Sequence, residues 1–177
     1  MKAITKLYLK TFLSTGIPYA ILMAIWDLAE GKGFNFQKFL FFSISFGALM
    51  SLILVSIHLY FIKKKGIKEI SEENLSTTQK RDVTSTLSPQ ELLERLKNKT
   101  KFRKIKPEID GNEIYFKTGV TWKTWGEKIR LRYSKIAENK YKYQVVSQPK
   151  IKTVIFDYGN SIENVNLIEK ILKEGRI

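Results

Sequence analysis

The stretch FLFFSISFGALMSLILVSIHLYFI, residues 39–62, decides the architecture of the chain, because it contains no Asp, Glu, Lys or Arg. A helix of about 20 predominantly apolar residues is long enough to cross the hydrocarbon core of a bilayer. Surface helices of soluble proteins carry a polar face, so an uncharged run of this length is unusual among them. We interpret residues 39–62 as a membrane-spanning helix.

A second apolar run lies upstream at residues 11–29, and Asp27 is its only charged side chain. It also meets the length of a spanning helix, and Pro18 is tolerated in such a helix. Two other interpretations are a cleaved signal peptide, since a basic segment precedes the run, and a pair of buried helices in a soluble protein. We favour a span, because no A-x-A-like cleavage site follows and a second apolar run comes next.

The connector between the two runs is short, so residues 1–62 are predicted to form a hairpin of two antiparallel transmembrane helices. Small residues recur at intervals of four on both runs, and this spacing lets two helix backbones approach closely in lipid. The predicted packing positions are Gly16, Ala20 and Ala24 on the first helix and Ser43, Gly47 and Ser51 on the second.

The lysines near the apolar runs predict the orientation of the hairpin. Three lysines precede the first run and four follow the second, whereas the connector has two, accompanied by acidic residues. Cytoplasmic segments are enriched in Lys and Arg. We therefore expect a multi-pass protein of the inner (plasma) membrane with both termini in the cytoplasm.

Composition excludes several kinds of chemistry. The 177 residues include 31 Lys and Arg against 17 Asp and Glu, no Cys, and a single His at position 58. Disulfides, thiolate metal sites and a cysteine nucleophile are therefore excluded, and no nucleotide-binding, nucleophile-elbow or zinc motif is present. Glu113, Glu127 and Asp157 are the carboxylates that an enzyme could use, but scattered carboxylates in a basic domain are usually solvated or ion-paired. We predict no catalytic residue, no metal and no cofactor.

Downstream of the hairpin, residues 63–86 are polar and rich in Ser, Thr and Lys, which predicts a flexible linker.

Residues 87–177 are predicted to form a small cytoplasmic α+β domain, in the order helix, about five strands, helix. A capping box at Ser88 begins the first helix, and Asn160 is the expected cap of the last. The predicted strands are residues 101–109, 112–117, 128–136, 140–146 and 153–158. Hairpin-like connections favour a mainly antiparallel sheet with both helices on one face.

Two features of this domain indicate binding. The segment TGVTWKTWGE, residues 118–127, places two Trp side chains three apart, which suits a membrane interface, a ligand or a partner, or else covers the end of the sheet. Residues 63–177 also carry 26 Lys and Arg against 15 Asp and Glu, and a basic surface tethered beside a bilayer attracts anionic headgroups. A solvated face is the simpler alternative, and nucleic acid is less favoured because no recognition motif appears. The predicted binding residues are Trp122, Trp125, Lys104, Lys106, Arg130, Arg132 and Lys142.

The motifs W-K-x-W-G-E, residues 122–127, and D-Y-G-N-S-x-E-N, residues 157–164, follow the hairpin and the linker. This layout resembles small, uncharacterised two-span membrane proteins of bacteria with a C-terminal α+β domain. The resemblance covers most of the chain and brings no activity with it.

We therefore expect a non-enzymatic, membrane-anchored module whose cytoplasmic domain binds an anionic lipid surface, a small ligand or a protein partner. The alternative is an accessory or regulatory subunit of a larger membrane complex, such as a transporter or a sensor, that packs through the hairpin. A homo-oligomer is a further possible assembly.

Overall fold

A computed structural model describes residues 2–67, 69–121, 124–151 and 153–174. The chain divides into two compact units, Met1–Leu75 and Ser76–Ile177. Each unit has its own packing and is described separately.

The first unit is a helical hairpin, as the sequence predicts. Helix α1 covers Ala3–Ala29, α2 covers Phe36–Lys64, and a single turn, α3, covers Glu72–Leu75. Both α1 and α2 are long and apolar enough to cross a membrane. The Asn35 side chain accepts a hydrogen bond from the backbone N–H of Lys38 and caps α2, which fixes where the second helix begins.

Helices α1 and α2 come closest where both present glycine. A Cβ on Gly16 would lie 2.3 Å from the carbonyl oxygen of Ser43, and one on Gly47 would lie 2.9 Å from the carbonyl oxygen of Phe12. Both distances are shorter than atoms tolerate, so a larger residue at either position requires the helices to separate. Of the predicted packing positions, Gly16, Ala20, Ser43, Gly47 and Ser51 are buried, whereas Ala24 is half-buried.

The second unit is an α+β fold, in agreement with the prediction. Among the described residues, five strands form one antiparallel sheet in the order β1-β5-β4-β3-β2. The sheet is open, with β1 and β2 as its edges. The strands are β1 Gln79–Ser85, β2 Glu108–Asp110, β3 Glu113–Lys117, β4 Glu127–Ala137 and β5 Lys140–Pro149, and the helices are α4 Pro89–Lys97 and α5 Asn160–Glu174.

One face of the sheet is buried against α4 and α5. Alternate residues of the two longest strands point into this core, including Ile129 and Leu131 on β4 and Tyr143 and Val145 on β5. The Tyr143 hydroxyl donates to the carbonyl oxygen of Leu87 at 2.7 Å, and burial raises the pKa of this phenol. The predicted core positions of both helices are buried: Leu92, Leu93, Leu96, Ile162, Val165, Ile168, Ile171 and Leu172.

The linker prediction is wrong at its C-terminal end, because residues 79–85 form strand β1. The inward-facing residues of β1 include Gln79, Val83 and Ser85, and only Val83 is apolar. The Ser85 hydroxyl compensates for its burial by donating to the carbonyl oxygen of Leu172 at 2.6 Å. A strand whose buried face is mostly polar lacks the alternation that sequence reasoning detects.

Two predicted strands also differ from the structure. Residues 100–102 form a 3-10 turn, and the strand expected over 101–109 is reduced to β2, since Pro107 has no N–H to extend the ladder. No strand forms at 153–158 in the part of the chain that the structure describes. There Asp157, rather than Asn160, caps α5, because its carboxylate accepts from the backbone N–H of Ser161 at 2.9 Å.

The predicted cap of α4 and the predicted hairpin turns are confirmed. Ser88 and Glu91 form the capping box of α4, with Pro89 in its first turn. The turn at 110–113 joins β2 to β3, and the turn at 137–140 joins β4 to β5. Gly111 and Asn139 take the positive φ angles, 49° and 53°, that such tight connections require.

Strand β1 is expected to be integral to the domain. In the fragment 76–177, Val83→Ala should lower the free energy of unfolding by about 2 kcal/mol, because it leaves a cavity in the core. Denaturant titration followed by circular dichroism measures this change. The matched control is Lys80→Ala on the exposed face of the same strand, which should change stability by less than about 0.5 kcal/mol. Equal effects of the two substitutions would show that β1 adds nothing to the core.

Candidate functional site

Two segments far apart in the sequence meet at one end of the sheet. They are the loop 118–126, which joins β3 to β4, and the turn 157–160, which leads into α5. A cavity of about 440 Å³ is lined by both, through residues that include Thr118, Glu127 and Asn160. The two sequence motifs therefore belong to one region of the molecule.

The Glu127 carboxylate holds both ends of the loop 118–126. One of its oxygens accepts from the Thr118 hydroxyl at 2.5 Å and the other from the Thr124 hydroxyl at 2.6 Å. The backbone N–H of Glu127 donates in return to the Thr118 hydroxyl at 2.8 Å. The Glu127 side chain is buried, so these charge-assisted hydrogen bonds are sheltered from water and compensate for the burial of the charge.

Gly126 packs against the base of the same loop. Its φ of 88° favours glycine, and an added Cβ would lie 2.7 Å from the Thr118 carbonyl oxygen. That oxygen also accepts from the Lys150 ammonium at 2.8 Å, while the backbone N–H of Lys150 donates to the Gly126 carbonyl at 3.0 Å. The loop is thus fixed to the end of β5 as well as to β4.

The loop presents an apolar tip, which we define as Val120 and Trp125. These side chains are 65% and 64% exposed, although removing either from water would lower the free energy. Beside the loop, Ile151 is also exposed. Trp125 therefore does not cover the open end of the sheet. The other predicted tryptophan, Trp122, lies outside the described residues.

A lysine groove of about 340 Å³ lies beside the loop, between the segment 101–106 and the edge of β3. It exists because β2 pairs with β3 only as far as Glu108 opposite Tyr115, and Pro107 then turns the chain away. We define the lysine groove by its five cationic side chains, which share it with one carboxylate, Glu108. The cationic residues are Lys101, Lys104, Lys106, Lys117 and Lys150.

The five lysines differ in what they contact. Lys101 lies 3.4 Å from the Glu163 carboxylate, and Lys150 donates to a backbone carbonyl. No carboxylate among the described residues lies within ion-pair distance of Lys104, Lys106 or Lys117. Three ammonium groups around one concavity create a positive potential that attracts anions.

The predicted arginines lie elsewhere, on the outward face of the sheet. Arg130 and Arg132 both contact the Glu113 carboxylate, at 2.8 and 2.7 Å. Lys142 is exposed on the same face, where its strand neighbour Gln144 pairs with Arg132. The structure therefore separates the predicted basic residues into two surfaces, with Lys104 and Lys106 in the lysine groove.

Sequence reasoning missed Lys101, Lys117 and Lys150 as members of the groove. A signal for two of them was present, because Lys117 ends the strand that leads into the tryptophan loop and Lys150 follows β5, the strand paired with β4. Once β4 pairs with β5, the chain after β5 returns to the base of this loop, and Lys150 lies beside Gly126.

Asp157 is a second buried carboxylate at this end of the sheet. Burial raises its pKa, and this effect is opposed by hydrogen bonds from the backbone N–H groups of Ser161 and Gly159. Both carboxylate oxygens of Asp157 therefore accept hydrogen bonds from the backbone at the start of α5. Among the described residues, no group of three His, Cys, Asp or Glu side chains is arranged to hold a metal ion.

Comparison of the chain with protein-family models, with curated proteins and with solved structures gave no match. The chemistry of the site itself therefore carries the functional argument. Its two distinctive features are the lysine groove and the apolar tip, which adjoin through Thr118 and Gly119.

Glu127 is expected to stabilise the loop more than an exposed carboxylate does. Glu127→Gln replaces one accepting oxygen with an NH₂ group that faces a hydroxyl, and should lower the free energy of unfolding by about 1–3 kcal/mol. The control is Glu113→Gln on the exposed sheet face, where an ion pair contributes about 0–1 kcal/mol. Denaturant titration of the fragment 76–177 compares the two, and a larger loss for Glu113→Gln would contradict the role given to Glu127.

Proposed function

We propose that the protein is a non-enzymatic, membrane-anchored module whose α+β domain docks on the anionic lipid surface of its own membrane. In this proposal α1 and α2 form the anchor. The lysine groove contacts the headgroups, and the apolar tip enters the interfacial layer. The single observation that carries the proposal is that Lys104, Lys106 and Lys117, which have no ion pair to a described residue, line a groove beside an exposed tryptophan at one end of the domain.

The surface of the hairpin supports the anchor. Only 17% of the most apolar 18-residue segment of α1, and 22% of that of α2, is buried inside the structure. A core helix of a soluble protein would be mostly buried, and apolar surface of this extent requires lipid or a protein partner. Lysines are more numerous before α1 and after α2 than in the connector between the helices, and this supports cytoplasmic termini.

The chemistry of the domain supports lipid as its partner. Trp is favoured at membrane–water interfaces, where its ring is apolar and its N–H stays hydrated. Each Lys near an anionic leaflet contributes about 1 kcal/mol. Residues 65–78, which join α2 to β1 and include the helical turn α3, extend at most roughly 40 Å. Such a tether raises the effective concentration of the domain at the bilayer, so weak contacts suffice.

The buried carboxylates support binding rather than catalysis. The oxygens of Glu127 accept hydrogen bonds from the loop, and those of Asp157 accept from the first turn of α5. Each carboxylate therefore holds a structural element in place. The same groups give the loop a fixed shape, which reduces the entropy lost when the tip enters a membrane.

Trp125 is expected to contact lipid in the full-length protein. In a Trp26→Phe/Trp122→Phe background, Trp125 is the only tryptophan. Its fluorescence in nanodiscs should be quenched by brominated acyl chains when the lipid is anionic. Quenching should decrease in zwitterionic lipid and at high salt, because salt screens the attraction of the lysines.

The control places the reporter at the other end of the sheet. In the same background, Trp125→Phe/Ile136→Trp moves the single tryptophan to an exposed position at the end of β4, beside the turn that leads into β5. This protein should show no lipid-dependent quenching. If Trp125 is unquenched in every lipid, the docking proposal fails, and the alternative of an accessory subunit of a membrane complex is favoured.

A further inference from the structure

We infer that the lysine groove is a binding site for a phosphate monoester presented by a membrane lipid. This inference rests on the proposed function for the source of the ligand. It goes beyond general attraction to negative charge, because it assigns the ligand a particular headgroup chemistry and the protein a defined cavity.

The groove has walls that a flat basic surface lacks. One wall is the segment 104–106, which leaves the sheet at Pro107, and the other is the edge of β3 beyond its pairing with β2. Phe116 and Ile105, which are otherwise part of the core, also line it. A concave site with low-dielectric walls focuses the field of its charges, so the lysines act together on one anion.

Three of the groove lysines have no counter-charge among the described residues, unlike the arginines of the outward sheet face. Arg130 and Arg132 share Glu113, and Lys38 contacts Asp27 at 2.6 Å. In contrast, Lys104, Lys106 and Lys117 line one cavity without an ion pair to any described residue. Their mutual repulsion disfavours the empty groove, and a multivalent anion would remove this repulsion.

A phosphate monoester matches this arrangement better than a phosphodiester. At pH 7 a monoester carries a charge of about −1.5 to −2 and three strong acceptor oxygens. Each lysine ammonium offers three donors on a flexible stem. The diester of an ordinary phospholipid carries one negative charge and is flanked by substituents on both sides, so fewer lysines reach it at once.

The neighbouring loop points to lipid as the source of the monoester. Thr118 and Gly119 line the groove, and the chain continues directly into Val120 of the apolar tip. A ligand in the groove therefore lies beside side chains suited to the interfacial layer. A soluble phosphate would use the lysines but would leave Val120 and Trp125 exposed.

The test compares two anionic lipids at matched surface charge. The full-length chain with Trp125 as its only tryptophan is placed in nanodiscs that contain either phosphatidate, a monoester, or phosphatidylserine, a diester. Half-maximal quenching of Trp125 is expected at a surface charge about fivefold lower for phosphatidate. Lys104→Gln/Lys106→Gln/Lys117→Gln should abolish this preference.

The matched control is Lys97→Gln/Lys135→Gln/Lys140→Gln, which removes the same charge from exposed positions outside the groove. It should keep the preference for phosphatidate, and unchanged thermal unfolding of both triple variants shows that each is folded. If both variants lose the preference for phosphatidate equally, the preference depends on the net charge of the protein rather than on the groove, and the inference is overturned.

Two further outcomes separate this inference from the proposed function. Equal docking on both lipids overturns the inference and leaves the docking proposal intact. Docking on neither lipid overturns the docking proposal and, with it, the lipid source. A parallel calorimetric titration of glycerol 3-phosphate into the protein in zwitterionic nanodiscs should give weak binding, and tight binding that the groove variant loses would reassign the groove to a soluble monoester.

Discussion

The antiparallel pairing of β4 with β5 is the interaction on which the rest of the domain depends. β1 adds to β5 on one side and β3 adds to β4 on the other, while α5 packs against β5 and β1. The register also determines the two ends. At one end the strands close in a tight turn at Asn139, and at the other Glu127 lies opposite Pro149. The end away from the turn therefore contains the buried Glu127 carboxylate of β4 and Lys150, which follows β5.

The difference between the two ends of the β4–β5 pair explains why the candidate site is at one end of the sheet only. The outward face carries arginines, but Glu113 neutralises part of their charge. Around the lysine groove the chain has left the sheet at Pro107, so its lysines cluster where the carboxylates of the sheet face do not reach. Glu127 then fixes the loop beside them, which places charged and apolar contacts in a constant relation.

Much of the fold could be predicted from the sequence, because strong local signals mark it. The uncharged run at 39–62, the capping box at Ser88 and the alternation of β4 are such signals. The prediction of five strands was correct in number but included residues 153–158 in place of β1. Strand β1 was missed because its buried positions are mostly polar and are satisfied by partners distant in sequence, such as Leu172 for Ser85.

The candidate site was only partly predictable for a related reason. Trp125 and Lys104 stood out by type and local spacing, whereas the grouping of Lys101, Lys117 and Lys150 depends on three separate elements meeting in space. The role of Glu127 likewise depends on a loop closing upon itself. Local patterns reveal which side chains are unusual, and long-range pairing decides which of them meet.

The most direct test of the central claim is hydrogen–deuterium exchange of the full-length chain in nanodiscs of zwitterionic and of phosphatidate-containing lipid. If the domain docks through the lysine groove and the apolar tip, amide exchange at residues 99–106 and 117–121 should be slower on the anionic lipid. Exchange at the turn at the opposite end of the sheet, residues 137–140, should be unchanged. Unchanged exchange in the first two segments, or equal slowing at the turn, would contradict the account.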